Sequence, residues 1–138
     1  EDGARRHLMA KRLTKARRPK RRWLGLLVDK RHKSRAEVET SISNVAQKTE
    51  ASGTWRLMDY CPEEQRKNDA EITDLTALYP EHGLAILRVD LIDAPTFRTL
   101  FEDDEALATH GFESLTTSGK IQLVRRRLGL RRPKRLKK

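Results

Sequence analysis

The chain has 138 residues, of which 36% are hydrophobic and 36% are charged, and its formal net charge is +10. This length suits one domain with a modest core, and the low apolar fraction indicates that part of the chain forms extensions. Cys61 is the only cysteine, which excludes an internal disulfide and a thiolate metal cluster. The sequence has no apolar run long enough to cross a bilayer or to form the core of a signal peptide, so we expect an intracellular protein.

The charges are distributed unevenly along the chain. Residues 1–33 carry 13 basic and 3 acidic side chains, residues 34–119 carry 7 and 17, and residues 120–138 carry 10 and none. Like charges held close together are unfavourable unless a polyanion lies against them, so two basic arms around an acidic centre predict nucleic acid or an anionic membrane surface as partner. The alternative is a basic protein whose charged faces are only solvated.

The chain begins with a basic segment at residues 1–22 that has few large apolar side chains. Such a segment cannot bury enough surface to offset its ordering entropy, so we predict an arm that orders on a partner. The apolar run at residues 23–28 then predicts a buried strand.

A helix is predicted next, because Ser34 and Glu37 have the spacing of a capping box. Val38, Ile42 and further apolar residues follow at helical spacing, and Gly53 is placed to follow the helix end.

The second strand is predicted at residues 54–60, and strict alternation places its side chains on two faces. Trp55 and Leu57 are expected on one face, and Met58 and Tyr60 on the other.

Residues 61–82 are polar and have no persistent apolar period, so they predict an exposed insertion. A short helix near residues 72–78 is the alternative.

The last third of the chain contains an apolar strand, a helix and a short edge strand. Every second residue from Ala85 to Leu91 is apolar, which is the period of a strand with one buried face. Asp93 is predicted to cap a helix that ends at Gly111, and residues 112–115 are predicted to form the edge strand. The buried face of that helix is predicted to comprise Phe97, Leu100, Phe101 and Leu107.

A basic helix ends the predicted domain. Ser118 is expected to cap it, and Ile121, Val124 and Leu128 would form its inward stripe. The predicted outward side chains are Lys120, Arg125, Arg126 and Arg127.

The order of these elements predicts an α+β sandwich of the split-βαβ type, with one sheet and helices on one face. The predicted organisation is a basic arm at residues 1–22, one domain at residues 23–130 and a basic tail at residues 131–138.

Phosphate binding is the chemistry that the basic arms favour. A helix N-terminus offers free N–H groups to an anion, and guanidinium groups bind phosphate oxygens in pairs. The predicted RNA-binding residues are Arg17, Arg18, Lys20, Arg21, Arg22, Ser118, Gly119, Lys120, Arg125, Arg126, Arg127, Arg131 and Arg132.

Trp23 and Trp55 have two interpretations. They could stack on unpaired bases, but core packing is the commoner role of such residues.

Catalytic and metal-binding motifs are absent from the sequence. There is no His-Glu-x-x-His, no Cys-x-x-Cys, no Gly-rich phosphate loop and no Gly-x-Ser-x-Gly elbow. The acidic residues 102–105 could hold magnesium, but a solvated helix face is the favoured interpretation. We expect that the protein has no catalytic activity of its own, no cofactor and no small-molecule substrate.

Residues 13–23 form a basic arm that leads into an aromatic-led strand. Residues 83–89 read Gly-Leu-Ala-Ile-Leu-Arg-Val, and residues 117–121 read Thr-Ser-Gly-Lys-Ile before a basic helix. These three segments resemble the basic arm, the Gly-x-Ala-Ile-x-Arg-Val strand and the Val-Ser-Gly-Thr-Ile turn of the small α+β, Pop-type protein subunit of archaeal and eukaryotic ribonuclease P. The resemblance implies a scaffold that binds the catalytic RNA, pairs with a second protein subunit and supports removal of 5′ leaders from precursor transfer RNA.

Other functions fit the same charge layout. A ribosomal protein, organellar or lineage-specific, would use the extensions to stabilise ribosomal RNA. A DNA-binding regulator would bind duplex DNA as tightly as structured RNA, although no recognition-helix pattern is present. A basic peptide at a membrane surface would need a large apolar face beside the basic one.

Overall fold

The computed structural model of the protein describes residues 20–49, 51 and 54–131. Its four strands are β1 (Arg21–Val28), β2 (Trp55–Cys61), β3 (Gly83–Asp90) and β4 (Phe112–Ser118). Its helices are α1 (Arg35–Gln47), α2 (Arg66–Asp69), α3 (Ala94–Phe101), α4 (Ala106–His110) and α5 (Ile121–Leu128), and short 3₁₀ turns lie at Glu63–Gln65 and Leu91–Asp93.

The four strands form one sheet in the order β2-β3-β1-β4, and each neighbouring pair is antiparallel. Strands β1 and β2 are joined through α1 and lie on either side of β3, while β3 and β4 lie on either side of β1. This arrangement is a pair of interlocked split βαβ units. The predicted α+β class is therefore confirmed.

The first face of the sheet packs against α1 and α3. Side chains alternate along a strand, so Leu24, Leu26 and Val28 of β1 all point to this face. The main core combines these residues with side chains of the neighbouring strand β3 and of the two helices that cover this face. The residues concerned are Ala85, Leu87 and Val89 of β3, Val38 and Ile42 of α1, and Phe97 and Phe101 of α3.

The second face is partly covered by α5, so the prediction of helices on one face is wrong. Leu27 of β1 is fully buried there against a cluster that includes Val124 and Leu128 of α5. Both faces of β1 are apolar, and Leu27 would be exposed to water if the second face were left uncovered. Gly25 permits the close approach, because a Cβ at this position would lie 3.1 Å from Val124 Cγ1.

Helix α1 begins as the capping motif predicts. Ser34 is the N-cap and its Oγ accepts a hydrogen bond from Glu37 N at 3.2 Å. The Glu37 carboxylate accepts from Lys33 N at 2.6 Å, one residue earlier than in the standard capping box. The buried residues Val38 and Ile42 confirm the helical period, whereas Gly53 lies outside the described residues.

Strand β2 contains an irregularity that alternation did not predict. Its pairing with β3 shifts between Leu57 and Asp59, which is the signature of a bulge. Trp55, Leu57 and Tyr60 therefore all pack towards the main core, and the predicted placement of Tyr60 on the opposite face is wrong. Met58 packs towards α5, as does Cys61.

Most of residues 61–82 are exposed, but the segment also has buried residues. Thr76 is fully buried and the Arg66 side chain is 8% exposed. Nη1 of Arg66 donates to the carbonyl oxygen of His82 at 2.7 Å and also to that of Tyr79. Buried polar groups need hydrogen-bond partners, and these two hydrogen bonds join the beginning of the segment to its end.

The same segment is attached to the end of α5. Glu71 N donates to Gly129 O at 2.7 Å, and Arg131 N donates to Asp69 O at 3.0 Å. Gly129 has φ +75°, and a Cβ here would lie 2.0 Å from Glu71 O, so only glycine fits this junction. The segment thus supports the far end of α5.

The last third of the chain follows its predicted order with altered boundaries. Asp93 is the N-cap position of α3, and the predicted single helix is divided into α3 and α4. The helical region ends at Gly111 as predicted. Strand β4 is longer than the predicted residues 112–115 because it pairs with β1 as far as Ser118.

Candidate nucleic-acid interface

One end of the sheet collects basic residues from distant parts of the sequence. The antiparallel order places the starts of β1 and β2 beside the ends of β3 and β4, as the pairs Arg21–Asp90 and Trp23–Ser118 show. We call this region the basic end. Its cationic residues are Lys20, Arg21, Arg22, Arg56, Arg88 and Lys120.

The two predicted basic segments meet at this end. Arg22 lies against Gly119, because a Cβ added to that glycine would be 3.2 Å from Nη1 of Arg22. Lys20 is exposed, and its carbonyl oxygen accepts from Leu91 N at 2.8 Å. The start of β1 is therefore fixed beside the turn that leads into α5.

The strand register arranges four residues in a line across the sheet. Arg56 is opposite Arg88, Arg88 is opposite Trp23, and Trp23 is opposite Ser118. We call these four residues the transverse row. They share the sheet face that α5 partly covers, because Trp23 packs against the same cluster as Val124. With strands about 4.8 Å apart, the row is about 14 Å long.

The arginines of this surface repel one another. Burial first, and then the positive charges of Arg21 and Arg56, lower the pKa of Arg88 below its usual value, with Asp90 partly opposing this effect. The Asp90 carboxylate accepts from Thr54 N at 3.1 Å. Among the described residues, no carboxylate forms a salt bridge with any of these three arginines. Their charges are available to an anionic ligand.

The arginines of the predicted basic face of α5 have different surroundings from one another. Nε of Arg125 donates to Oδ2 of Asp59 at 2.7 Å, so this guanidinium is matched by a carboxylate of the same chain. Arg127 donates to Thr116 Oγ1 at 2.9 Å. Arg126 is exposed and lines a cleft that Glu71 also lines. These side chains do not form one free cationic surface.

The start of α5 lies two residues later than predicted. Its N-cap is Lys120, and Ser118 is still part of β4, so the prediction that Ser118 caps the helix is wrong. Strand pairing with Trp23 holds Ser118 in extended conformation. Its Oγ accepts from Lys120 N at 3.1 Å and thereby stabilises the turn between strand and helix.

The structure brings together only part of the predicted site. Lys20, Arg21, Arg22, Gly119 and Lys120 lie at the basic end, with Ser118 in the adjacent row. Arg126 and Arg131 line a cleft beside α5 that Gln122, Gly129 and Glu71 also line. The predicted residues Arg17, Arg18 and Arg132 lie outside the described residues.

Sequence reasoning missed Arg56 and Arg88. Arg88 is the only charged residue among residues 83–89, and it follows Leu84 and Ile86 on the second face of the strand. A charged residue at the next position of an otherwise apolar face indicates that this end of the strand lies outside the core. The proximity of Arg56 depends on strand pairing, which alternation within one strand does not reveal.

Other kinds of site find no support in the described part of the chain. Across residues 20–49, 51 and 54–131, His, Cys, Asp and Glu side chains nowhere form a group of three suited to a metal ion. None of the described helices has the length and apolar character needed to span a membrane. Comparisons with protein families, curated proteins and solved structures find no match for this chain.

Proposed function

We propose that this protein is an RNA-binding structural subunit of a ribonucleoprotein and that the basic end contacts the RNA. The proposal rests on the convergence of Arg21, Arg56 and Arg88, which form no salt bridge with a carboxylate of the described residues and whose charge Asp90 offsets only in part. Mutual repulsion makes this arrangement unfavourable unless an anion binds, and guanidinium forks fit phosphate oxygens. The paired strands fix the backbone positions of these arginines before binding.

The most specific form of the proposal is a ribonuclease P protein subunit. It is supported by the resemblance of residues 13–23, 83–89 and 117–121, and each of these segments includes one member of the transverse row. In that form, an RNA active site processes precursor transfer RNA and this chain supports its structure beside a second protein subunit. A ribosomal protein is the alternative. Crosslinking followed by sequencing of the attached RNA separates the two.

The electrostatic premise is tested by a triple variant, R21Q/R56Q/R88Q, and RNA binding measured between 50 and 200 mM salt. Contacts with about six phosphates would weaken wild-type affinity about 10³-fold over this range. We expect the variant to bind more weakly and to lose much of this salt dependence.

A control variant, K30Q/K33Q/K67Q, removes the same charge at the opposite end of the sheet, where these exposed lysines follow β1 and β2. It should retain most of the affinity. Equal losses in both variants would contradict a localised site. Equally tight binding of a DNA duplex would favour the DNA-binding alternative.

A further inference from the structure

We infer that the transverse row binds unpaired RNA nucleotides, with phosphates on Arg56 and Arg88 and a base against Trp23. This inference rests on the proposed function and names the kind of RNA that the basic end takes. Duplex RNA, bound through its backbone alone, is the outcome that would contradict it.

The row forms an open shelf beside α5. Arg56 is exposed, whereas Arg88, Trp23 and Ser118 are each partly exposed. Two residues further along the strands the same face is closed, because Ile86 is fully buried and Gly25 lies against α5. The helix therefore bounds the shelf on one side.

The chemical groups on the shelf follow a fixed order across the sheet. Two guanidinium groups on β2 and β3 are followed by an indole on β1 and a hydroxyl on β4. Guanidinium groups bind phosphate oxygens, and an aromatic side chain on a sheet surface is a platform for a base. The two guanidinium groups can therefore bind the phosphates of one RNA strand while the neighbouring indole stacks on a base of that RNA strand.

Unpaired RNA and duplex RNA differ in the groups that they can offer to this shelf. Bases within an A-form helix are stacked on one another, and side chains cannot read its deep major groove. A side chain fixed in a sheet reaches the face of a base only when that base is unstacked. Duplex RNA could contact the arginines through its phosphates, but it would leave Trp23 unused.

The test compares an unstructured 12-nucleotide RNA with an RNA hairpin of equal charge, and it measures binding to the full chain by fluorescence anisotropy. We expect the unstructured RNA to bind at least about tenfold more tightly. Replacing Trp23 by leucine should weaken this binding about 5- to 150-fold, which corresponds to the usual contribution of one stacked base. The variant W55F is the control, because Trp55 packs towards the main core on the opposite face, and its affinity should be close to wild type.

A spectroscopic measurement on the unaltered row keeps the inference testable if W23L does not fold. The wild-type protein has two indole N–H NMR signals, from Trp23 and Trp55, and W55F identifies the signal of Trp23. Addition of the unstructured RNA should shift the Trp23 signal and leave the other in place. Tighter binding of the hairpin, with no shift of the Trp23 signal, would overturn the inference but leave the proposed function intact. Failure of both RNAs to bind would overturn both.

Discussion

The guanidinium of Arg125 and the carboxylate of Asp59 form a two-point contact between α5 and β2. Nε lies 2.7 Å from Oδ2, and Nη2 lies 3.2 Å from Oδ1. The hydrogen bonds to Asp59 raise the pKa of Arg125, and they outweigh the opposite effect of burial. Both side chains are mostly buried, so the contact is less screened than a surface pair. It joins the last helix to an edge strand of the sheet.

Removal of this contact should destabilise the fold. We expect Arg125→Ala and Asp59→Ala each to lower the free energy of unfolding by about 1.5–3 kcal/mol, the usual contribution of hydrogen bonds to charged groups. The double variant should lose less than the sum, because the partners share one interaction. Urea unfolding measures all three variants. Additive losses would show that the contact contributes nothing, and the exposed Arg126→Ala serves as the neutral control.

The approach of α5 to the sheet depends on Gly25. A Cβ at this position would lie 2.9 Å from Thr116 Cγ2 and 3.1 Å from Val124 Cγ1. We therefore expect Gly25→Val to lower the free energy of unfolding by about 1–3 kcal/mol through overpacking. Gly119→Val is the comparison, because that glycine is exposed and meets only the Arg22 guanidinium. Equal thermal stability of the two variants would contradict this packing.

The sequence predicted elements better than their mutual placement. Helix α1 was predictable because Ser34, Glu37 and Val38 carry local signals that the structure uses directly. The bulge between Leu57 and Asp59 was not predictable, because an extra residue in one strand is defined only by its partner strand. For the same reason the basic end was recognised only in part: its arginines on β2 and β3 become neighbours through pairing.

Arg66 should be necessary for the structure of residues 61–82. Arg66→Met would leave the carbonyl oxygens of Tyr79 and His82 without their donor, and each unsatisfied buried acceptor costs about 1–3 kcal/mol. We expect a lower melting temperature and faster thermolysin cleavage on the N-terminal side of Leu78, which is exposed. Lys67→Met, on the same short helix but exposed, should change neither property. Unchanged cleavage in Arg66→Met would indicate that the segment is held by other contacts.

The stability of the protein should fall at alkaline pH through Cys61. Burial, followed by the negative charge of Asp69, raises the pKa of this thiol to about 11, whereas an unfolded cysteine titrates near about 8.5. Because the folded pKa is the higher one, the stabilising effect is complete below the unfolded pKa and is lost as the pH rises through the folded pKa. Between pH 8 and pH 10.5, the free energy of unfolding measured with urea should decrease more for wild type than for Cys61→Ala. Parallel losses would contradict the assignment.

The two ends of α5 should contribute differently to RNA binding. Lys120 lies at the basic end, whereas Arg126 lines the cleft that also contains Glu71, where an acidic neighbour opposes an approaching phosphate. Loss of one phosphate contact reduces the magnitude of the salt slope by about 0.7 for a single strand. We expect Lys120→Gln to show this reduction and Arg126→Gln to keep the wild-type slope, although both remove one charge. The opposite result would place the RNA on the outer face of α5, as the helix alone predicts, and would remove the basic end as the binding surface.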